Sequence, residues 1–363
     1  MRLSILLPTN RRSLLACSRI AQTCSWAGPH VEVIVRDNSG DAPKRELLTH
    51  FQRENCKVIT ADPCEPRENF SEILQLATGD FIFCLGDDDF CFDHAIAELP
   101  DLIERIGKDP SIVGITGTYA VETSKATSIA NYQNVDSDDA RARVTGFLGY
   151  PGPNLLYYSV MRRELVNRIF GYMNEMPFCF SFHDQIFCLL YLLNGKFFRL
   201  QRLMYLYDMG DWESRETAQM RDLDFYNDAG LDPAVNKLHW ILCGFEGASL
   251  VMNSDMLAML APAQRQPIAD LWFTVMFARF KQDNRFTFGS PLSEDAERWC
   301  RNLQESTGQL TFERILAEIS KFIALSSTDA AQDYFEFWDA VISKRQPVPR
   351  RSVAPRRAAV NES

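Results

Sequence analysis

The sequence predicts an α/β fold, a mostly parallel sheet covered by helices, followed by an all-helical region. Over the first 90 residues continuous apolar runs alternate with helix-like runs, as in a parallel sheet buried on both faces. Polar clusters follow directly after three of the strand-like runs, and sheets of this kind bind ligands at the carboxyl ends of their strands. Beyond Asp232-Pro233, a helix-start signal, amphipathic helical segments take over.

The expected strands are Leu3 to Leu7, Val31 to Val35, Val58 to Thr60 and Phe81 to Leu85. Between them lie helical runs from Ser13 to Thr23, Pro43 to Arg53 and Glu68 to Ala77. From about Tyr150 to Tyr207 the pattern is mixed: strand-like Leu155 to Met161, a helix from Asp184 to Leu193, then strand-like Phe197 to Leu200 and Met204 to Tyr207. Later helices are expected at Val235 to Val251, Ile268 to Lys281, Phe312 to Leu325 and Ala330 to Ser343.

A chain of 363 residues buries a good core without disulfides. Its ten cysteines lie mostly inside apolar runs and form no close C-x-x-C pair, which reads as reduced thiols in a cytoplasmic protein. The chain opens directly on a strand, and its longest apolar run, Ile186 to Leu193, is too short to span a bilayer. The expectation is a protein neither secreted nor membrane-spanning. A net charge of -10 argues against nucleic-acid binding, which needs a basic footprint on the phosphates.

The three polar clusters are Thr9-Asn10-Arg11, Asp37-Asn38-Ser39 and Gly86-Asp87-Asp88-Asp89. No Gly-rich fingerprint follows the first strand, so a nicotinamide or flavin enzyme is not expected. Asp87, Asp88 and Asp89 are the most informative. At ~4 Å and an effective dielectric of about 20, each like-charged pair costs on the order of 4 kcal/mol, a strong reason to expect a bound cation. All-oxygen ligation suits Mg²⁺ or Mn²⁺. In an extended segment Asp87 and Asp89 face the same way and can share a ligand. The alternative is a solvated acidic turn.

The segment Glu68-Asn69-Phe70, through Ala77-Thr78-Gly79-Asp80-Phe81, to Gly86-Asp87-Asp88-Asp89 resembles the family-two glycosyltransferases, in which a helix, a turn and a strand lead to a metal-binding D-x-D. Leu3 to Arg11 and Val31 to Asp41 are similar to that family's first two strands and their loops, each loop here one residue shorter than the commonest form. The resemblance implies a GT-A fold with a Rossmann-like sheet, and transfer of a sugar from a nucleotide-diphosphate donor with inversion. It implies that Thr9 and Asp37 hold the donor's base and ribose, that Asp87 touches ribose or sugar, and that Asp89 ligates the metal, with Asp88 serving either part. The metal set is thus Asp89 with Asp87. Arg11 is a candidate partner of the diphosphate, or a surface arginine. Asn69 aligns equally with a donor-side Asn or with a helix cap; the other reading of Asp37, which the functional one outweighs, is a turn former.

Phe182-His183-Asp184-Gln185 resembles the family's Glu-Asp motif at a helix start, which makes Asp184 the candidate base; its other reading is an N-cap. His183 stands where a Glu is usual. The loop from Tyr207 to Trp212 lacks the His that some relatives supply to the metal or phosphate, leaving Asp208 or Asp211 as substitutes, or Asp89 with phosphate and water alone. Trp212 reads equally as a cover for the donor or a sugar platform and as simple packing. The remaining histidines read as structural.

The expected organisation is a glycosyltransferase domain over 1–228, with a nucleotide-binding half to residue 90 and an acceptor half from 91 to 228, then a helical domain over 229–343. Residues 344–363, with six Lys or Arg against one Glu, are expected to be a disordered tail, solvated or else in peripheral contact with an anionic membrane or acidic partner. The expected donor is a UDP- or dTDP-sugar, and the acceptor a saccharide, a lipid-linked group or a small molecule in surface polysaccharide or glycoconjugate synthesis. Competing readings are a nucleotidyltransferase, disfavoured by the missing Gly-rich phosphate loop, and a non-catalytic sugar-nucleotide-binding subunit.

Overall fold

A computed structural model describes residues 1–12, 14–150, 152–257, 259–283, 294–305 and 311–344. The expected basic tail lies outside the described residues beyond Lys344. The chain divides into two compact units, one of residues 1–174 with 195–209, the other of residues 175–194 with the described residues from 210 onward.

The first unit is built on a nine-stranded sheet: β1 (Leu3–Thr9), β2 (Val31–Asp37), β3 (Cys56–Thr60), β4 (Phe81–Cys84), β5 (Phe90–Cys91), β6 (Ile112–Glu122), β7 (Thr127–Ala130), β8 (Val160–Arg162) and β9 (Lys196–Asp208). The order is β3-β2-β1-β4-β8-β6-β9-β5, with β7 paired to β6. Strands β3, β2, β1 and β4 are parallel, β8 enters antiparallel between β4 and β6, and β9 runs parallel to β6. The path leaves β1 for β2 and β3 on one side, then returns to β4 on the other. A crevice opens at such a reversal, at the carboxyl ends of the two strands.

The strands are continuous apolar runs because both faces are covered. Ile5, Leu6 and Leu7 of β1, Val33 to Val35 of β2 and Phe81 to Phe83 of β4 are all fully buried. Helices α1 (Leu14–Ser25), α2 (Ala42–Thr49) and α3 (Pro66–Leu76) connect these strands, and α4 (Asp93–Ile106), α5 (Ala140–Leu148) and α6 (Arg163–Glu175) follow. The Asp41 carboxylate accepts the backbone N–H of Lys44 at 2.7 Å, and a proline in the first turn completes the start signal of α2.

Several elements differ from expectation: β6 is a strand that the sequence reading does not expect, and Pro233–Leu238 is a 3-10 turn where a helix is expected from Val235. The apolar run from Leu155 forms a 3-10 turn over Leu155–Tyr158, and only Val160–Arg162 continues as strand. The Tyr132 hydroxyl accepts the backbone N–H groups of Leu155 and Leu156 at 2.8 and 3.3 Å, so they are not offered to a ladder. The two short strands expected between Phe197 and Tyr207 are one strand, β9, because the polar Gln201 and Arg202 stay within it as exposed residues.

A buried acid ties the first two strands to the turn before β4. Glu32 of β2 accepts hydrogen bonds from the Ser4 hydroxyl, the Thr78 N–H and hydroxyl, and the Gly79 N–H. Glycine is required at 79, since a β-carbon there would stand 2.6 Å from Ser4 Oγ and 2.8 Å from the Arg2 carbonyl. Burial raises the Glu32 pKa, but the bonds from Ser4 and Thr78 and the charge of Arg2 outweigh it and hold the carboxyl below its usual 4.5. Its stabilisation is therefore present above pH 4.5 and lost as the pH falls further. Glu32→Ala orphans several buried donors and is expected to lower the unfolding free energy by about 2 kcal/mol or more, measured by urea titration at pH 7.

The second unit is helical: α7 (His183–Asn194), α8 (Arg215–Asp228), α9 (His239–Asn253), α10 (Pro262–Gln282), α11 (Glu294–Glu305), α12 (Phe312–Ala324) and α13 (Thr328–Ile342). Helix α9 is its centre, buried along its whole length from Ile241 to Val251 and packed by α7, α10, α12 and α13. Among the described residues no helix is long and apolar enough to cross a membrane.

Candidate active site

The three polar clusters meet at the reversal between β1 and β4. Thr9 closes β1, Asp37 closes β2, and Asp87 to Asp89 follow β4. The Thr9 hydroxyl donates to Asp87 Oδ2, which joins the two strand ends on either side of the crevice. Arg11, half exposed, places Nε 3.2 Å from Asp87 Oδ1 and Nη2 2.5 Å from Asp88 Oδ2. It is a partner of the acidic triplet, with solvent on its other side.

Asp87 to Asp89 form a bend, yet burial still alternates: Asp87 and Asp89 are each 6% exposed, whereas the Asp88 side chain is 35% exposed. Tyr205 of β9 donates its hydroxyl to Asp89 Oδ2 at 2.7 Å, and the Asp208 N–H donates to Asp89 Oδ1 at 3.0 Å. Asp208, expected in a loop, is the last residue of β9 and is brought to the site by its main chain. The Asp211 side chain lies outside the described ones. Burial, and then the charge of Asp88, push the Asp89 carboxyl up to about 7, above the range of ordinary carboxylates. The charged form is under-compensated by the protein alone.

That imbalance bears on a cation. Among the described residues no group of three or more His, Cys, Asp or Glu is arranged to hold a metal. What is present is a partial set, in which Asp88 Oδ1 and Asp89 Oδ2 come within 2.8 and 2.9 Å of the point where a β-carbon of residue 86 would stand. Gly86 keeps that space clear. Two converging carboxylate oxygens fit Mg²⁺ or Mn²⁺, which are commonly held by one or two carboxylates together with water and substrate phosphates. Beside it, a cavity of about 10 Å³, room for one water, is lined by Gly86, Asp89, Tyr205, Arg19 and Trp26 among others.

The remaining donor-side residues are more deeply engaged than their sequence suggests. Asp37 is fully buried; it takes the Lys44 ammonium at 2.9 Å on Oδ1 and the Ser39 hydroxyl at 3.1 Å on Oδ2. Asn69 lies within α3, whose N-cap is Glu65, so it caps nothing. It accepts from Arg36 and donates to Asn38 Oδ1 at 3.0 Å, bracing the loop after β2.

Sequence reasoning missed Lys44 and Tyr205. Lys44 carried a weak signal, a lysine in the first turn of a helix whose start follows Asp37 closely. Tyr205 carried none, since it resembles the other aromatics of β9. It is fully buried and stacked on the half-buried Tyr158, ring centroids 4.9 Å apart.

Asp184 belongs to the second unit, in the first turn of α7, one residue inside the helix and half-buried. A carboxylate there is favoured by the positive end of the helix dipole. His183, immediately before it, is buried with Nε2 3.0 Å from Glu246 Oε2 of α9, and the Tyr334 hydroxyl donates to Glu246 Oε1 at 3.0 Å. Burial pulls the His183 pKa down, but bonding to Cys179 and Glu246 prevails and raises it from 6.5 to about 9. A raised folded pKa stabilises fully below the unfolded value, so this contribution is complete below pH 6.5 and is lost as the pH rises through 9. The expected loss is on the order of 3 kcal/mol. Urea unfolding at pH 6.5 and pH 9 should show it in the wild type and show a much smaller change in His183→Gln.

Residues 4–170, from β1 into α6, match the family model of Glycosyl transferase family 2. Among solved structures, residues 1–349 of S. aureus TarS superpose with a TM-score of 0.51 at 15% identity, over 95% of this chain and 92% of that one. The same fragment in complex with UDP-GlcNAc gives 0.50 at 15% identity, over 95% and 93%. Against the longer TarS structure the score is 0.51 at 15% identity over 94% of this chain, which spans 55% of the TarS chain. Likeness at this identity speaks for the fold alone. No curated protein matches the chain in sequence. The protein is a glycosyltransferase of the GT-A fold. Its residues 4–170 belong to glycosyl transferase family 2.

Proposed function

We propose that the protein is a cytoplasmic, inverting glycosyltransferase that moves a sugar from a nucleoside-diphosphate sugar to an acceptor hydroxyl, in surface polysaccharide or glycoconjugate synthesis. The observation that carries this reading is the junction of Thr9 with Asp87 across the reversal between β1 and β4, with Asp88 and Asp89 converging beside it. The complex of S. aureus TarS with UDP-GlcNAc supports a nucleotide-sugar donor, and the family resemblance a UDP- or dTDP-sugar. Residues 1–228 would act as the transferase domain and 229–343 as a helical appendage.

In this reading Asp184 takes the proton of the acceptor hydroxyl as its oxygen bonds to the anomeric carbon and the bond to the diphosphate breaks. Arg11, half exposed beside Asp87 and Asp88, meets the negative charge that gathers on the departing diphosphate. Thr9, Asp37 and Asn69 shape the pocket of the base and ribose. Asp37 has no exposed surface in this conformation, so direct contact with a base requires the loop after β2 to shift. Mg²⁺ or Mn²⁺ held by Asp89 with Asp87 or Asp88 would supply Lewis-acid stabilisation of the leaving group.

The test is thermal unfolding with Mn²⁺ and a panel of nucleoside diphosphates. A ligand at a hundredfold excess over its Kd adds about 2.7 kcal/mol. The expected result is a rise of several degrees with one nucleotide, dependent on Mn²⁺ and abolished in Asp89→Ala. No rise with any nucleotide would overturn the donor-site reading and leave Asp87 and Asp89 as a structural junction held by Thr9, Arg11 and Tyr205.

A further inference from the structure

We infer that Lys44 is a positioning residue of the donor site, setting both oxygens of Asp87 and the turn from Thr9 to Arg11 for the nucleoside diphosphate; this rests on the donor-site reading above. The Lys44 side chain is 2% exposed, and its ammonium lies 2.9 Å from Asp37 Oδ1, 2.7 Å from Thr9 Oγ1 and 2.7 Å from the Arg11 carbonyl. An ammonium has three donors and no acceptor, so none is left for a substrate. Lys44 therefore acts through what it holds.

Two of its bonds converge on Asp87. Thr9 Oγ1 accepts from Lys44, which commits the hydroxyl's single proton to the remaining direction, toward Asp87 Oδ2. Without Lys44 that hydroxyl is free to turn away. Fixing the Arg11 carbonyl fixes the chain from which the Arg11 guanidinium departs, and Nε of that group lies 3.2 Å from Asp87 Oδ1. One buried ammonium thus orients Asp87 from both sides, through Thr9 on Oδ2 and through Arg11 on Oδ1. The third bond, to Asp37, ties this arrangement to the loop after β2. Lys44 can reach all three because Asp41 caps α2 three residues before it, and helical side chains lean toward the N-terminus of their helix, here toward the ends of β1 and β2.

A residue that merely balances the charge of Asp37 would matter for folding but would not couple to Thr9. The two roles separate in nucleotide affinity, read by calorimetry with uridine, thymidine and guanosine diphosphates, each with Mn²⁺, on folded protein checked by circular dichroism. For the nucleotide that binds the wild type, Lys44→Gln is expected to weaken affinity at least tenfold, and Lys44→Arg to recover most of it. Thr9→Val should also weaken affinity, and the double variant Thr9→Val with Lys44→Gln should lose less than the sum of the two losses, because the Thr9 arm to Asp87 is broken in both. Wild-type affinity in a folded Lys44→Gln, or losses that simply add in the double variant, would overturn the role of Lys44 while leaving the donor site standing. If Lys44→Gln does not fold, Lys44→Arg with and without Thr9→Val carries the same cycle. A wild type that binds none of the three nucleotides overturns the donor-site reading and this inference together.

Discussion

Burying carboxylates at the carboxyl ends of parallel strands is the constraint on which the first unit turns. Asp37, Asp87 and Asp89 are nearly or fully withdrawn from water, and among the described residues Lys44 pairs with Asp37 and Arg11 with Asp87. A buried ionised carboxylate is tolerated only with a counter-charge or several donors. Asp37 has the ammonium of Lys44 and two donors of Ser39; Asp87 has the Thr9 hydroxyl and Arg11. Asp89 has one phenol and one amide, both neutral, with Asp88 beside it. The loops after β1, β2 and β4 and the end of β9 are therefore held together chiefly by the demands of these acids.

The same logic recurs beneath the site. Glu32 sits in β2, where an apolar residue would be ordinary, and its Oε1 gathers Ser4 of β1 and the turn ahead of β4. That turn sets where β4 begins, and β4 in turn delivers Gly86 to Asp89. Gly79 and Gly86 serve one need at the two ends of β4. Each lets polar atoms approach the backbone closer than any side chain would allow.

The local part of this arrangement was legible in the sequence. Apolar runs interrupted by Thr-Asn-Arg, Asp-Asn-Ser and Gly-Asp-Asp-Asp give both the strands and their ligand-binding ends, because period and punctuation are properties of neighbouring residues. Lys44 and Tyr205 are of another kind. Their contacts join residues 35 and 116 positions apart, and nothing in a lysine on a helix or a tyrosine on a strand announces such a partner. Strand β6 escaped for a local reason, since Gly114, Thr116, Gly117 and Thr118 break its apolar run and read as a turn. The Leu155 to Tyr158 run misled because an apolar tetrapeptide fits a strand or a helical turn equally, and the choice was made by a distant hydroxyl, that of Tyr132.

His183 illustrates what a departure from a family pattern can mean physically. An acid is usual at its position, and its replacement by a base read from sequence only as an altered site. In the helical unit the acid is supplied from elsewhere, by Glu246 at the centre of α9, with Tyr334 of α13 on its second oxygen. A fully enclosed carboxylate at that point would be untenable among the apolar residues of α9 without both partners. The imidazole at the start of α7 and the acid in α9 are thus mutually required, and the first turn of α7, which carries Asp184, is pinned to the centre of its unit by a charge pair rather than by packing alone.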